Sequence, residues 1–142
     1  MQYPSDWTKE SHSPPRTDFA TFDSLQTNSK DHSIAEVRLG TFDKASSLSH
    51  DLKTEINGYL KDWSGQAVDS NTSSTLAGQS AFKLLGTYTT SYGIDQKVVE
   101  TGTIVGSKVY YINALIDADQ YSNYIPIVEQ MINSYTLSAP TL

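Results

Sequence analysis

Two aspartates placed one residue apart are the side chains in this sequence best suited to bind a metal ion. Asp117 and Asp119 form an Asp-x-Asp pair, and carboxylate oxygens are preferred ligands of Ca²⁺. The pair does not continue as an EF-hand loop, which needs Gly at its sixth position and Glu at its twelfth, where this sequence has Ser122 and Val128. A structural interpretation is also open, in which Asp119 or a neighbour caps the following helix and favours its positive end.

Histidine is the other residue type that could complete a metal site. His12, His32 and His50 are too far apart in sequence to form an i, i+4 ligand pair on a helix, so the simplest interpretation places them on the surface. A site assembled in space would combine His12 or His32 with a nearby aspartate, and we take the set of His12, Asp117 and Asp119. These three residues are the candidate metal ligands, and calcium or another divalent cation is the candidate ion.

The sequence lacks the patterns that are typical of enzymes. Gly-x-Ser-x-Gly does not occur, and Ser80 stands in a turn-to-strand context rather than at the strand-to-helix turn that exposes a nucleophile. The chain also has no cysteine and no Gly-rich phosphate loop with Lys-Ser or Lys-Thr. We therefore expect a protein that is not an enzyme, with no catalytic residues and no cofactor other than such a cation.

Length and composition indicate a single domain, residues 1–142. A chain of 142 residues with 37% apolar content can bury a sizeable core without disulfides. Ten basic and sixteen acidic side chains give a formal charge of −6, which repels phosphate backbones and argues against nucleic acid as a partner. No apolar run is long enough to cross a bilayer, and the first residues do not read as a signal peptide.

Hydrophobic periodicity predicts a sheet with helices packed on it. Apolar residues alternate with polar ones in the predicted strands and recur at every third or fourth position in the predicted helices. A two-residue connection, Gly106-Ser107, predicts a tight hairpin. Strands are predicted at 19–22, 34–42, 66–69, 80–90, 96–105 and 108–116, helices at 47–63 and 121–135, loops at 5–18 and 23–33 and a turn region at 71–78. This order favours the α+β class, an antiparallel β-sheet flanked by helices.

Three short sequence motifs resemble those of a known family. They are Tyr-Pro-x-x-Trp at 3–7, Leu-Ala-Gly-x-x-Ala at 76–81 and Tyr-x-x-Tyr-x-Pro-x-Val at 121–128. In this order and spacing the chain resembles the PsbP-like family, which is related to the extrinsic photosystem II subunit, and in particular a stand-alone prokaryotic relative. The resemblance implies an α/β/α sandwich of the Mog1/PsbP-like type.

The resemblance also implies a function and a location. PsbP-like domains are extracytoplasmic, in the periplasm, at the cell surface or in the thylakoid lumen, and act without catalysis by docking to other proteins. We therefore expect a monomeric interaction or assembly module, with a photosystem II accessory protein as its narrower form and a small-ligand or calcium-binding protein as the alternative. Relatives carry one more strand before Tyr-Pro-x-x-Trp, so we expect a truncated first strand, and membrane association only through a segment outside this sequence.

Overall fold

Seven strands form one antiparallel sheet in the computed structural model, which describes residues 1–13, 18–43 and 67–136. The strands are β1 (Thr8–Ser11), β2 (Asp18–Asp23), β3 (Ala35–Asp43), β4 (Ala67–Leu76), β5 (Gln79–Thr89), β6 (Asp95–Val105) and β7 (Lys108–Asp117). Their spatial order is β1-β2-β3-β7-β6-β5-β4. A single 3₁₀ turn, Ala118–Gln120, connects β7 to the helix α1 (Tyr121–Asn133).

The predicted α+β class is confirmed, and most elements lie where the periodicity places them. The strands β2, β3, β6 and β7 and the helix α1 agree with the predicted ranges to within two residues at each end. The hairpin at Gly106-Ser107 is also confirmed, since Val105 pairs with Lys108 across it. The helix predicted at 47–63, on which the second helical layer of the sandwich depends, lies outside the described residues.

The loop predictions are less accurate around β4 and β1. Residues 71–76 belong to β4 rather than to a turn region, because this hydroxyl-rich segment pairs with β5 along its length and threonine favours strands. The turn is only Ala77-Gly78, whose φ values of 51° and 78° suit a two-residue type I′ hairpin. The sequence pattern does not predict β1, because all four of its residues are exposed and none marks a buried face.

Each of the three family-like motifs contributes buried residues to the core of the fold. Trp7 from the first motif packs against Tyr124 from the third, with ring centroids 6.4 Å apart. Leu76 and Ala81 from the second motif flank the β4–β5 turn and are buried in the same core. These buried residues therefore contribute to the packing of the core.

One face of the sheet is covered by α1. The buried helix residues Val128, Met131 and Ile132 pack on apolar side chains of β2, β3, β6 and β7. An ion pair between Lys83 and Glu129, with Nζ and Oε1 2.9 Å apart, joins the same helix to β5. Within the described ranges, no helix is long and apolar enough to span a membrane.

The opposite face carries a second apolar cluster, formed by Phe82, Leu84 and Val98. Gly102 lies beneath the ring of Phe82, its cross-strand partner. A Cβ atom at this position would lie 2.6 Å from Cζ of Phe82 and 3.0 Å from the backbone oxygen of Tyr110. The glycine is therefore needed for close approach of the ring to the backbone.

We expect Gly102→Ala to lower the free energy of unfolding by about 1–3 kcal/mol, the usual cost of overpacking a well-filled core. Urea unfolding at equilibrium measures the change. The variant Phe82→Leu removes the colliding ring atoms, so the double variant should be less destabilised than the sum of the two single variants. Additive single effects would contradict the proposed collision.

Candidate functional site

An acidic cleft lies at one end of the sheet, where the β2–β3 loop, the β5–β6 turn and the junction between β7 and α1 meet. Its volume is about 480 Å³, and none of the described residues that line it has a basic side chain. The lining includes three carboxylates, those of Asp95, Asp117 and Asp119, with polar neighbours Thr27, Asn28 and Gln120. A cleft with charges of one sign concentrates ligands of the opposite sign.

Asp117 is the buried acid of this cleft, with a relative exposure of 2%. It ends β7, and its backbone N–H donates to the carbonyl of Ile34 at 2.9 Å. Its carboxylate accepts hydrogen bonds from Nδ2 of Asn28 at 3.0 Å and from Nε2 of Gln96 at 3.3 Å. Two amide donors therefore satisfy one oxygen each, as a buried carboxylate requires.

Asn28 organises the β2–β3 loop around this carboxylate. Its side-chain oxygen accepts hydrogen bonds from the backbone N–H groups of Lys30 at 2.9 Å and His32 at 3.2 Å. Between them, Asp31 adopts a left-handed conformation with φ of 61°, which aspartate tolerates better than most residues. One asparagine thus fixes the loop with its oxygen and binds Asp117 with its nitrogen.

The rim of the acidic cleft is also held by specific contacts. The rings of His32 and Tyr92 stack with centroids 4.1 Å apart, which joins the β2–β3 loop to the β5–β6 turn. The hydroxyl of Tyr124 donates to Oε1 of Gln26 at 2.8 Å, which fixes the loop to α1. These contacts hold the β2–β3 loop, the β5–β6 turn and α1 together at the rim of the acidic cleft.

The structure brings together two of the three candidate metal ligands. Asp117 and Asp119 both line the acidic cleft, but His12 follows β1 at the opposite end of the strands, where its Nε2 lies 3.2 Å from Oγ1 of Thr21. Three strand spacings and about six residues along a strand separate His12 from Asp117, which amounts to a distance on the order of 20 Å. Within the described ranges, no group of three or more His, Asp or Glu residues could hold a metal ion. The three-residue set is therefore not assembled.

The helix-capping interpretation of Asp119 is wrong in its detail. The residue that precedes α1 is Gln120, and no side-chain hydrogen bond caps the helix. Asp119 lies in the 3₁₀ turn before it. Its negative charge still lies near the positive end of the helix dipole, which is a favourable place for a carboxylate.

The sequence did not single out Asn28, Asp95 or Gln96 as site residues. Asn28 stands in a run of turn-forming residues, and Asp95 follows the Tyr92-Gly93 turn, so local composition marks both only as loop residues. Their meeting depends on strand pairing between distant segments. The one available signal was the position of Asp95 and Gln96 at the start of β6, beside the Asp117 end of β7.

A second group of acids lies on the sheet face opposite α1. Asp23 on β2 is the cross-strand partner of Glu36 on β3, and Glu10 lies on the neighbouring strand β1. Burial raises the pKa of Asp23 to about 6, with further contributions from Glu36, to which it is hydrogen-bonded, and from Glu10, while Arg38 acts in the opposite direction. Arg38 also forms an ion pair with Glu36.

This raised pKa predicts a pH-dependent stability. Because the folded state holds the proton more tightly than the unfolded chain, the contribution of Asp23 is favourable below about pH 4 and is lost as the pH rises through about 6. The shift corresponds to about 3 kcal/mol, which solvent screening of this partly exposed group reduces to about 1 kcal/mol. We expect Asp23→Asn to raise the free energy of unfolding by that amount at pH 7 and to have little effect at pH 4, in urea titrations. An equal effect at both pH values would contradict this coupling.

Comparison with solved structures finds the same architecture in proteins of low sequence identity. LpqN of Mycobacterium tuberculosis, described as involved in cell envelope biogenesis, aligns with a TM-score of 0.71 and 19% identity over 95% of this chain and 80% of its own. Cyanobacterial PsbP (CyanoP) of Synechocystis aligns with a TM-score of 0.64 and 10% identity, over 93% of this chain and 81% of its own. A Pseudomonas aeruginosa protein of unknown function aligns with a TM-score of 0.60 and 11% identity, over 96% of this chain and 87% of its own.

No family model and no curated protein matches the sequence itself. At these identities, structural similarity establishes the fold and carries no activity with it. The resemblance carried by the three motifs agrees with the strand order, with the packing of α1 and with the structural similarity to PsbP and LpqN. The chain has the PsbP/Mog1-like fold.

Proposed function

We propose that this PsbP-like domain is a non-enzymatic interaction or assembly module that works outside the cytoplasm. The similarity to LpqN supports an envelope role, because LpqN is described as involved in cell envelope biogenesis. A narrower role as a photosystem II accessory protein draws only on the fold likeness to PsbP at 10% identity, and we place it second. Fractionation of the source cells tests the location, and recovery of the protein in the cytoplasmic fraction would contradict it.

The observation that carries the interaction proposal is the hydrogen-bonded β2–β3 loop beside the acidic cleft. The β2–β3 loop is closed by hydrogen bonds from Ser33 Oγ to the carbonyl of Ser24 at 3.0 Å and from the Ala35 N–H to Ser24 Oγ at 3.1 Å. On this fixed loop, Leu25 is 66% exposed. Loops that a rigid scaffold holds in place are where binding surfaces are commonly found.

The chemistry of this surface indicates what kind of partner it fits. Leu25 offers an apolar contact, while Asp95 and Asp119 offer negative charge in the adjacent cleft. A complementary protein surface presents an apolar side chain beside Lys or Arg. The expected partner is therefore a protein with a basic and apolar patch.

Site-specific photo-cross-linking tests this surface. A benzophenone amino acid replaces Leu25 in one variant and, as a matched control, Val105 in another, because Val105 is 41% exposed at the end of β6 that lies away from the acidic cleft. We expect a discrete cross-linked product in envelope extracts of the source cells only from position 25. Charge reversal by Asp119→Lys should reduce the yield, and equal products from positions 25 and 105 would contradict the proposal.

The alternative function is binding of a divalent cation or a small cationic ligand in the acidic cleft, and the paired carboxylates Asp117 and Asp119 favour it. Because both Asp117 oxygens already accept hydrogen bonds, water would supply much of the coordination shell. Such a calcium site belongs to the weak class, with a dissociation constant on the order of 1 mM. It would resemble extracellular calcium modules in affinity.

Addition of calcium tests this alternative. At 10 mM CaCl₂, occupancy of a millimolar site raises the free energy of unfolding by about 1.4 kcal/mol, a shift of roughly 3–6 °C in Tm. We expect Asp119→Asn to remove most of the shift and Asp31→Asn and His12→Ala to retain it. The same shift in Asp119→Asn, or with NaCl at equal ionic strength, would contradict cation binding in the cleft.

A further inference from the structure

A second cleft lies between the first three strands and the C-terminal end of α1, at the end of the molecule away from the acidic cleft. Its volume is about 390 Å³, within the usual range of small-ligand sites. We call it the aromatic cleft and define it by Lys9, Phe19, Phe22, Leu39, Tyr110 and Tyr135. Four of these six side chains are aromatic, so its walls are mostly apolar.

A β-bulge places an additional aromatic side chain at this cleft. The β2–β3 register shifts between Asp18 and Ala20, so that Phe19 and Ala20 both line the cleft although adjacent strand residues normally point to opposite faces. Phe19 is 38% exposed, while Phe22 below it is buried. The bulge therefore presents apolar ring surface that a ligand could cover.

The charge of the aromatic cleft is opposite to that of the acidic cleft. Among the described residues that line it, Lys9 is the basic residue and none carries a carboxylate, although the protein as a whole has a formal charge of −6. Nζ of Lys9 lies 5.9 Å from the ring centroid of Phe22, and no described carboxylate forms an ion pair with it. The ammonium group is thus held beside an apolar wall with donors still available to an anion.

Two tyrosines add neutral hydrogen-bonding groups to the same cleft. Burial raises the pKa of Tyr135 to about 12, with a further contribution from Tyr110. At neutral pH the Tyr135 phenol therefore stays protonated and can donate a hydrogen bond. At the end of α1, the carbonyls of Gln130, Met131 and Ile132 already accept the N–H groups of Ser134 and Tyr135.

We propose that the aromatic cleft binds a small anionic amphiphile, whose hydrocarbon body covers the exposed ring of Phe19 and whose carboxylate or phosphate group contacts Lys9. The proposal is independent of protein docking at the acidic cleft, because the two clefts share no lining residue. Apolar burial supplies binding free energy and the lysine selects the sign of the head group. The combination recognises neither a short anion nor a cationic amphiphile.

Titration with defined probes tests this site by calorimetry and by amide chemical shifts at low ionic strength. We expect decanoate and decyl phosphate to bind and to perturb the residues around Lys9 and Phe19, and the ratio of their affinities distinguishes a carboxylate from a phosphate ligand. Acetate and inorganic phosphate should not bind, and decyltrimethylammonium should bind at least about threefold more weakly than decanoate.

Two surface variants provide the residue-level test. Lys9→Met keeps the aliphatic stem and should weaken decanoate binding about threefold to tenfold, whereas the matched variant Lys30→Met at the other end of the molecule should leave it unchanged. Phe19→Ala should weaken it about fivefold through lost apolar contact. The proposal is overturned by no detectable decanoate binding, by equal binding of decyltrimethylammonium, or by full affinity in both cleft variants.

Discussion

Replacing Trp7 with alanine is expected to lower the free energy of unfolding by about 3–5 kcal/mol, because truncating a buried indole leaves a large cavity. Trp7 is 6% exposed, and its ring packs on that of Tyr124 from α1. Its backbone N–H donates to the carbonyl of Pro4 at 3.1 Å, so the preceding turn fixes the entry of the ring into the core. Most domains are stable by only about 5–15 kcal/mol, so this loss is a large fraction of the total.

Thermal unfolding followed by near-ultraviolet circular dichroism measures this effect, and we expect Tm to fall by about 10–20 °C. Trp7→Phe retains an aromatic ring in the same site and should recover more than half of the lost stability. A double-mutant cycle with Tyr124→Leu should show a coupling of about 0.5–1.5 kcal/mol for the ring pair. A Tm of Trp7→Ala within a few degrees of that of the unmodified protein would show that the Tyr-Pro-x-x-Trp motif does not anchor the helix.

Sequence patterns predict this fold well wherever burial alternates. In β3 and β7, residues such as Val37 and Ile112 face the α1 side at every second position, which gives a clear two-residue period. The pattern fails in β4, whose serines and threonines have the composition of a turn although β5 supplies a pairing partner along its length. It also fails in β1, which is held by hydrogen bonds to β2 and buries none of its own side chains.

The candidate site was predictable only where its parts are close in sequence. The Asp117 and Asp119 pair was found from its spacing, and both residues line the acidic cleft. The distance between His12 and Asp117 depends on the strand order and on which end of its strand each residue occupies. Neither can be obtained from local sequence. Asn28 lies 89 residues from Asp117, so no local pattern could reveal their hydrogen bond.

The two clefts divide the charge of the molecule in a way that composition conceals. A net charge of −6 suggests a uniformly acidic surface. Where the structure describes their linings, the acidic cleft has three carboxylates and no basic side chain, whereas the aromatic cleft has Lys9 and no carboxylate. Because exposed charges are screened beyond about 10 Å at 0.1 M salt, each cleft presents its own local field to a ligand.

Asp117→Ala is expected to lower the free energy of unfolding by about 3 kcal/mol, since it removes the acceptor of two charge-assisted hydrogen bonds at about 1.5 kcal/mol each. The donors that lose this partner are the side-chain amides of Asn28 and Gln96. Asn28 cannot turn its amide to compensate, because its oxygen already accepts the N–H groups of Lys30 and His32. The loss should therefore spread into the β2–β3 loop.

The isosteric variant Asp117→Asn should cost only about 1 kcal/mol. Its one amide oxygen can still accept from Asn28, and the side-chain amide of Gln96 can turn so that its oxygen accepts the new N–H group. Urea unfolding gives the energies, and hydrogen exchange at the Lys30 and His32 amides should accelerate in the alanine variant but much less in the asparagine variant. Asp119→Asn is the control, with a change within about 0.5 kcal/mol for an exposed carboxylate. Equal costs for the alanine and asparagine variants would show that the amide pairing at Asp117 does not hold the loop.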